Sequence, residues 1–286
     1  MSSVRITSRR LAKEAYCAGL EFVSYFSKSL RENPDLEWLF ILTMPNSGST
    51  ALGKLLMTSS SSVSLIDTCE GEWLVPSASN LRTRWDDNYM FSMRRLRARW
   101  LNRLAGATKE GKKLVIEKSP SNMVRIDEIR SVLAPMKSYV VILVRNPYAT
   151  CESWHRRYGR EELAATSMPE IRAARDDLEY FKMLGEYWIR RWGYLSRQKS
   201  EAIAIIRYED VVADPAAALS DLIRHVPSLA NVDVEASVSV KDYGMHKLRN
   251  MNDRQISSLS KEQIDAISAG LASHRDELEA IGYTFM

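Results

Sequence analysis

The chain reads as five short apolar runs, each ending in a polar cluster and each followed by a helical pattern. Trp38–Leu42 (WLFIL), Val63–Ile66, Lys113–Glu117 (KLVIE), Tyr139–Val144 (YVVILV) and Ala202–Ile206 (AIAII) are the runs. Their length and continuous apolar character suit strands buried on both faces. Leu52, Leu55 and Leu56 follow the first run at helical spacing, with Ser49 or Thr50 near the helix start. A helix is expected around Asn122–Leu133 and another after Pro147. A long helix over 167–197, started by Ser167 and Pro169, carries Ile171, Ala174, Leu178, Phe181, Leu184, Trp188, Trp192 and Leu195 as a core stripe. Further helices run from Pro215 to His225 and for about fifteen residues from Ser260, whose capping box pairs Ser260 with Gln263. Apolar strands alternating with helices predict an α/β fold, a parallel β-sheet flanked by helices. Ligands of such folds sit at the carboxyl ends of the strands, where the polar clusters fall.

Outside that alternation, residues 7–31 place Leu11, Ala15, Leu20, Phe22, Val23, Phe26 and Leu30 among Arg and Lys. This predicts an amphipathic helix packed on the body, with a membrane-surface or partner helix as the sharper alternative. The organisation expected is an N-terminal helix within 1–37 and a single domain over 38–286. The run Arg94, Arg95, Arg97, Arg99 and Arg103 reads as a solvated helix face, or as one turned towards an acidic acceptor.

Composition narrows the classes. The 286 residues are 45% hydrophobic, enough for a full core, and the formal net charge is +4. That mild balance fits an enzyme handling anions better than a nucleic-acid binder. Cys17, Cys69 and Cys151 have no CxxC spacing, and the four histidines form no HExxH, so neither disulfides nor a metal are expected. No apolar run reaches transmembrane length and the N-terminus has no signal-type apolar stretch, so a cytoplasmic protein is expected.

Candidate chemistry starts at MPNSGST, residues 44–50, between the first strand and its helix. A strand, a Gly/Ser loop and a helix N-terminus together form an anion site, phosphate being the usual guest. Gly48–Lys54 also matches GxxxxGK, but Leu55 stands where a magnesium-binding Ser or Thr is needed, and Gly53 and Lys54 fall inside the helix. Gly53 then reads as a close helix–sheet contact. PNSGSTAL instead resembles the 5′-phosphosulfate loop of sulfotransferases that use 3′-phosphoadenosine 5′-phosphosulfate. Arg145-Asn146-Pro147 with Ser153 resembles their 3′-phosphate motif, in which a strand-end Arg grips phosphate in a forked pair. Glu117-Lys118-Ser119-Pro120 is similar to the EKTP-type segment of carbohydrate and tyrosylprotein sulfotransferases, whose lysine contacts the sulfuryl group. Arg207-Tyr208-Glu209-Asp210 with Asp214-Pro215 resembles the segment near the adenosine, where Glu209 pins loops. Lys247, Arg249, Asn250 and Arg254 resemble the segment that closes over the nucleotide.

The resemblance covers roughly 38–284 and excludes 77–105, which it marks as an acceptor-side insertion. It implies a P-loop-like sulfotransferase architecture, a phosphosulfate donor held by Asn46, Ser47, Gly48, Ser49, Thr50, Arg145, Ser153, Tyr208, Lys247, Arg249 and Asn250, and no metal. Many members carry Lys or Arg where this chain has Asn46, which makes Lys118 the expected replacement cation. Glu70 and Glu72 in CEGEWLVP are both candidates for the base. Glu72 is preferred, because the Gly-Glu pair followed by Trp73, Leu74 and Val75 most resembles the family's spacing; these apolar neighbours would also raise its pKa. The acceptor is a small molecule, carbohydrate or lipid, with Trp73, Trp85, Tyr89 and Phe91 as candidate pocket walls. A P-loop kinase or NTPase, and a non-catalytic protein of the same fold, are the rival readings.

Overall fold

The computed structural model describes residues 2–28, 33–239 and 245–286. Five strands, β1 (Glu37–Thr43), β2 (Ser62–Ser64), β3 (Leu114–Glu117), β4 (Lys137–Val144) and β5 (Ala204–Arg207), form one sheet in the order β2-β3-β1-β4-β5. Every pairing in it is parallel. β1 is central and its side chains alternate between two cores. Trp38, Phe40 and Leu42 face a large aromatic layer, and Leu39 and Ile41 face the helix that follows β1 and its neighbours. This two-sided burial is why β1 and β4 are apolar almost throughout.

The smaller layer holds α2 (Ser49–Leu56), α7 (Tyr208–Ala213) and α8 (Pro215–His225). The larger holds α3 (Met93–Leu104), α4 (Ile126–Leu133), α5 (Pro147–Thr166), α6 (Asp177–Ser196) and α10 (Lys261–Leu271). Gly185 of α6 and Gly270 of α10 lie against each other; a Cβ on Gly270 would come within 2.2 Å of the Lys182 carbonyl oxygen. Here the absent side chain is what lets two backbones meet. α9 (Asn252–Ile256) and α11 (Arg275–Ala280) are two further short helices, and β6 (Val238–Ser239) with β7 (Met245–His246) makes a small antiparallel ribbon.

Several elements depart from expectation. The helix expected over 167–197 begins only at Asp177. Pro169 starts a single 3₁₀ turn, Pro169–Ala173, and the side chain of Asp176 then caps α6 by accepting from Glu179 N. The stretch 120–133 likewise divides into a 3₁₀ turn and α4, because Arg125 lies at φ −143°. α5 contains a break at Gly159 (φ +65°), a left-handed angle that glycine takes without steric cost.

The N-terminal helix, α1 (Ser2–Ser24), meets the body through the opposite face from the one its apolar residues predict. Cys17 and Ser24 are buried, and Arg95 of α3 donates to Glu14 at 3.0 Å and to Glu21 at 3.1 Å. Leu11, Ala15, Phe22, Val23 and Phe26 point outward, while Leu30 lies outside the described residues. The arginine run is therefore a fastening rather than an acceptor-facing surface: Arg95 ties down α1, Arg97 donates to Ala134 O and Arg103 to Leu65 O.

Candidate active site

The carboxyl ends of β1, β3 and β4 open into one cleft of about 690 Å³. β3 stops opposite Phe40, three residues short of the end of β1. That shortfall leaves room beside the phosphate loop for the turn Glu70–Leu74, which Lys118 N joins by donating to Cys69 O at 2.8 Å.

The phosphate loop is shaped by two left-handed residues, Asn46 (φ 64°) and Gly48 (φ 87°). Asn tolerates this region better than most residues, and Gly48 is required there for a second reason. A Cβ on it would come within 2.5 Å of the Tyr208 ring. The loop's outer carbonyls are pinned from the next motif, Pro45 O by Trp154 Nε1 at 2.9 Å and Asn46 O by Arg145 Nη1 at 2.8 Å. α2 begins at this loop without any side-chain cap, so its positive end faces the cleft.

Lys118 is nearly inaccessible, at 1% exposure, and reaches the same helix start. Its Nζ donates to Thr50 Oγ1 at 2.9 Å and is paired with Glu70. Glu70 also accepts from Trp73 Nε1 at 2.8 Å. Glu72 is buried, one carboxylate oxygen accepting from Arg84 at 2.9 Å and the other from Ser121. Burial pushes its pKa up, against the opposing pull of Arg84 and Ser121. Glu117, one residue before Lys118, anchors the turn that carries both acids. It accepts from Gly71 N (2.8 Å), Ser119 N (2.9 Å) and Asn122 Nδ2 (3.1 Å), and burial raises its pKa to about 7.

On the other side of the loop, the Arg145 guanidinium carbon lies over the Tyr208 ring, 4.5 Å from its centroid. Its three nitrogens are each already engaged: Nε with Asn252 Oδ1 (2.8 Å), Nη1 with Asn46 O and Nη2 with Gln255. This changes the expected role. Five N–H groups meet three protein acceptors, so Arg145 holds α9 to the phosphate loop and keeps only its remaining hydrogens for a ligand. Tyr208 O–H donates to Arg249 O at 2.7 Å, and Glu209 binds the amide of Asn146 and the hydroxyl of Tyr283, so Glu209 fastens loops together.

Of the residues expected from sequence, Asn46, Gly48, Ser49, Thr50, Glu70, Glu72, Lys118, Arg145, Ser153, Tyr208, Lys247 and Arg249 line the cleft. Ser47 is buried beneath the loop rather than lining it. Asn250 instead accepts from Asn252 N at 2.8 Å, shaping the turn into α9. Part of the basic loop, 241–244, lies outside the described residues. Trp73 lines the cleft, but Trp85 packs between Arg84 and Arg191, and Tyr89 and Phe91 pack on each other. Within 77–105 only Arg84 reaches the cleft. Lys54 is paired with Asp67 outside the cleft, which removes it from the role of a Walker lysine.

Sequence reasoning missed Arg84, Arg156, Arg157, Tyr158, Glu162 and Gln255 of the cleft, and Asn252, which with Gln255 holds Arg145. Gly159 inside a helical stretch was the one local hint that the end of this segment bends to face the site.

A family model described as the sulfotransferase family matches residues 39–227, about two thirds of the chain. No curated protein sequence matches it. Among solved structures it is similar to sulfotransferase STF9 from Mycobacterium avium, at 14% identity and a TM-score of 0.54, covering 92% of this chain and 81% of that one. It is also similar to sulfotransferase STF1 from Mycobacterium tuberculosis H37Rv, at 12% identity and a TM-score of 0.50, covering 89% and 81%. These likenesses concern the fold, the five-stranded parallel sheet between helices. With the family model running from Leu39 in β1 past the end of β5, the chain belongs to the sulfotransferase family.

Proposed function

We propose that this protein transfers a sulfuryl group from 3′-phosphoadenosine 5′-phosphosulfate to a hydroxyl or amine of an acceptor. The observation that carries the reading is the placement of Lys118, a buried ammonium hydrogen-bonded at the uncapped start of α2 with Glu70 and Glu72 in the same cleft. The donor supplies an activated sulfuryl group on a nucleotide that leaves as adenosine 3′,5′-bisphosphate. The fit to an anionic nucleotide rests on two features, the helix start without a cap and the cations Lys118, Arg145, Lys247 and Arg249 around it.

Backbone amides of the Asn46–Thr50 loop, the α2 dipole and Lys118 stabilise negative charge on the non-bridging and leaving oxygens. Because Asn46 carries no charge, Lys118 supplies the cation from the opposite wall of the loop. Arg145 and Ser153 hold the 3′-phosphate, and Tyr208 borders the nucleoside. Glu72 accepts the acceptor's proton, burial raising its pKa and making it a stronger base than an ordinary carboxylate. The acceptor enters between Trp73 and Tyr158, past Arg84.

Thermal stabilisation tests this directly. Adenosine 3′,5′-bisphosphate at a hundred times its dissociation constant should stabilise the fold by about 2.7 kcal/mol without added metal. Stabilisation by Mg-ATP alone would instead favour a kinase or NTPase.

A further inference from the structure

α1 turns a polar face to the body and an apolar face to solvent. Its inward contacts are the Arg95 pairs with Glu14 and Glu21, the Arg10 donation to Pro76 O and the Cys17 thiol against Leu74 O. On the opposite face Leu11, Ala12, Ala15, Gly19, Phe22 and Val23 recur at intervals of three and four residues, and all are exposed. Phe26, just past the helix, extends the stripe at 78% exposure, with Phe22 packed edge-on against it at 5.6 Å. Leu11 is 64% exposed and Phe22 66%. Half of the exposed large hydrophobics among the described residues fall between Leu11 and Phe26, so the patch is local to this helix rather than ordinary surface scatter.

Charge decides what covers it. Both acids of α1 are turned inward onto Arg95, and none remains on the outward side. Exposed Arg9 and Lys13 flank the stripe, and two tyrosines at its margins carry arginines of α3: Arg94 over Tyr25 at 5.5 Å and Arg99 over Tyr16 at 5.0 Å. A second copy of the chain would bring cation against cation across an apolar seam. An anionic lipid surface matches both features, since it takes the apolar stripe into its interfacial region and pairs its headgroups with the flanking cations. Tyrosines at the boundary between the two suit that depth.

We infer that α1 is an interfacial helix that seats the protein on an anionic lipid surface through Leu11, Phe22, Val23 and Phe26, with Arg9, Lys13 and Arg94 at the headgroups. No described helix is long and apolar enough to cross a membrane, so the helix lies on the surface rather than through it. This inference does not depend on the proposed sulfuryl transfer.

Vesicle co-sedimentation of the full chain tests it. The probes are phosphatidylcholine vesicles, and the same vesicles with about a third phosphatidylglycerol. The parent should sediment with the anionic vesicles, release as salt rises, and stay in solution with the neutral ones. Phe22→Asp with Phe26→Asp, and separately Arg9→Glu with Lys13→Glu, should each lower partitioning by about tenfold or more. These side chains are exposed, so melting temperatures should match the parent. Three outcomes overturn the inference. The parent leaves anionic vesicles unbound; or the Phe22/Phe26 variant binds them as well as the parent, meaning the stripe is unused; or light scattering shows a parent dimer that this variant dissolves, placing a second copy on the face.

Discussion

At the scale of single residues, the two acids of the Glu70–Leu74 turn are separated by their partners. Glu70 is held in an ion pair with Lys118, whereas Glu72 is enclosed with Arg84 and Ser121. Both acids are ion-paired, but Glu70 sits on the cation proposed to serve the sulfuryl group, while burial raises the pKa of Glu72 in spite of Arg84 and makes it the better proton acceptor. Glu72→Gln should therefore nearly abolish turnover with nucleotide binding intact, and Glu70→Gln should be much milder. Steady-state rates with labelled phosphosulfate donor read this, and the opposite order of severity would make Glu70 the base. Lys118→Ala should lower turnover by about a hundredfold or more, with a smaller change in nucleotide affinity. Normal turnover in that variant would show that another cation stabilises the developing charge.

At the scale of elements, the decisive joint is between β4, the phosphate loop and α9. Arg145 leaves the end of β4, crosses to the carbonyl of Asn46 and is gripped by Asn252 and Gln255 one helical turn apart on α9. Burial alone lowers the pKa of Arg145, so these acceptors offset a real desolvation cost. The two side chains fix the plane of the guanidinium. Asn252→Ala and Gln255→Ala should each weaken binding of adenosine 3′,5′-bisphosphate by roughly tenfold, the worth of a hydrogen bond to a charged group. Because neither touches the reacting atoms, kcat at saturating donor should change little; a fall in kcat with unchanged affinity would disprove this positioning role. Arg145→Ala should be worse than either.

At the scale of the whole molecule, the buried Glu117 links the site to stability. Its folded pKa is about 7 against an ordinary value of 4.5, raised first by burial. The folded state then holds a proton that the unfolded chain has released, so this contribution is fully present below about pH 4.5 and is lost as pH rises through 7. Melting temperature should fall across that window, and Glu117→Gln, which cannot ionise, should flatten the fall. An identical pH profile in the two proteins would mean Glu117 does not titrate there.

The five strands, their parallel sheet and the end of it at which the cleft opens were legible from the sequence, because strands buried on both faces must be continuously apolar and their polar clusters then gather at the strand ends; the order β2-β3-β1-β4-β5 was not. Legible too was the position at that cleft of the 44–50 loop, Lys118 and Arg145, each adjacent in sequence to the end of a strand. The limits of α6 were less so: Pro169 and Ser167 are good start signals, yet Asp176 caps the helix nine residues after Ser167. What only the tertiary structure decided involves partners distant along the chain. Arg84 meets Glu72 across twelve residues, Lys118 meets Glu70 across forty-eight, and Asn252 meets Arg145 across more than a hundred. The orientation of α1 belongs to the same class. Its apolar residues predict a face turned inward, but Arg95 on α3 attracts Glu14 and Glu21 instead, and the helix rolls its apolar stripe to the outside. Local periodicity encodes which face of an element is apolar; which face is buried depends on the charges of the neighbour it meets.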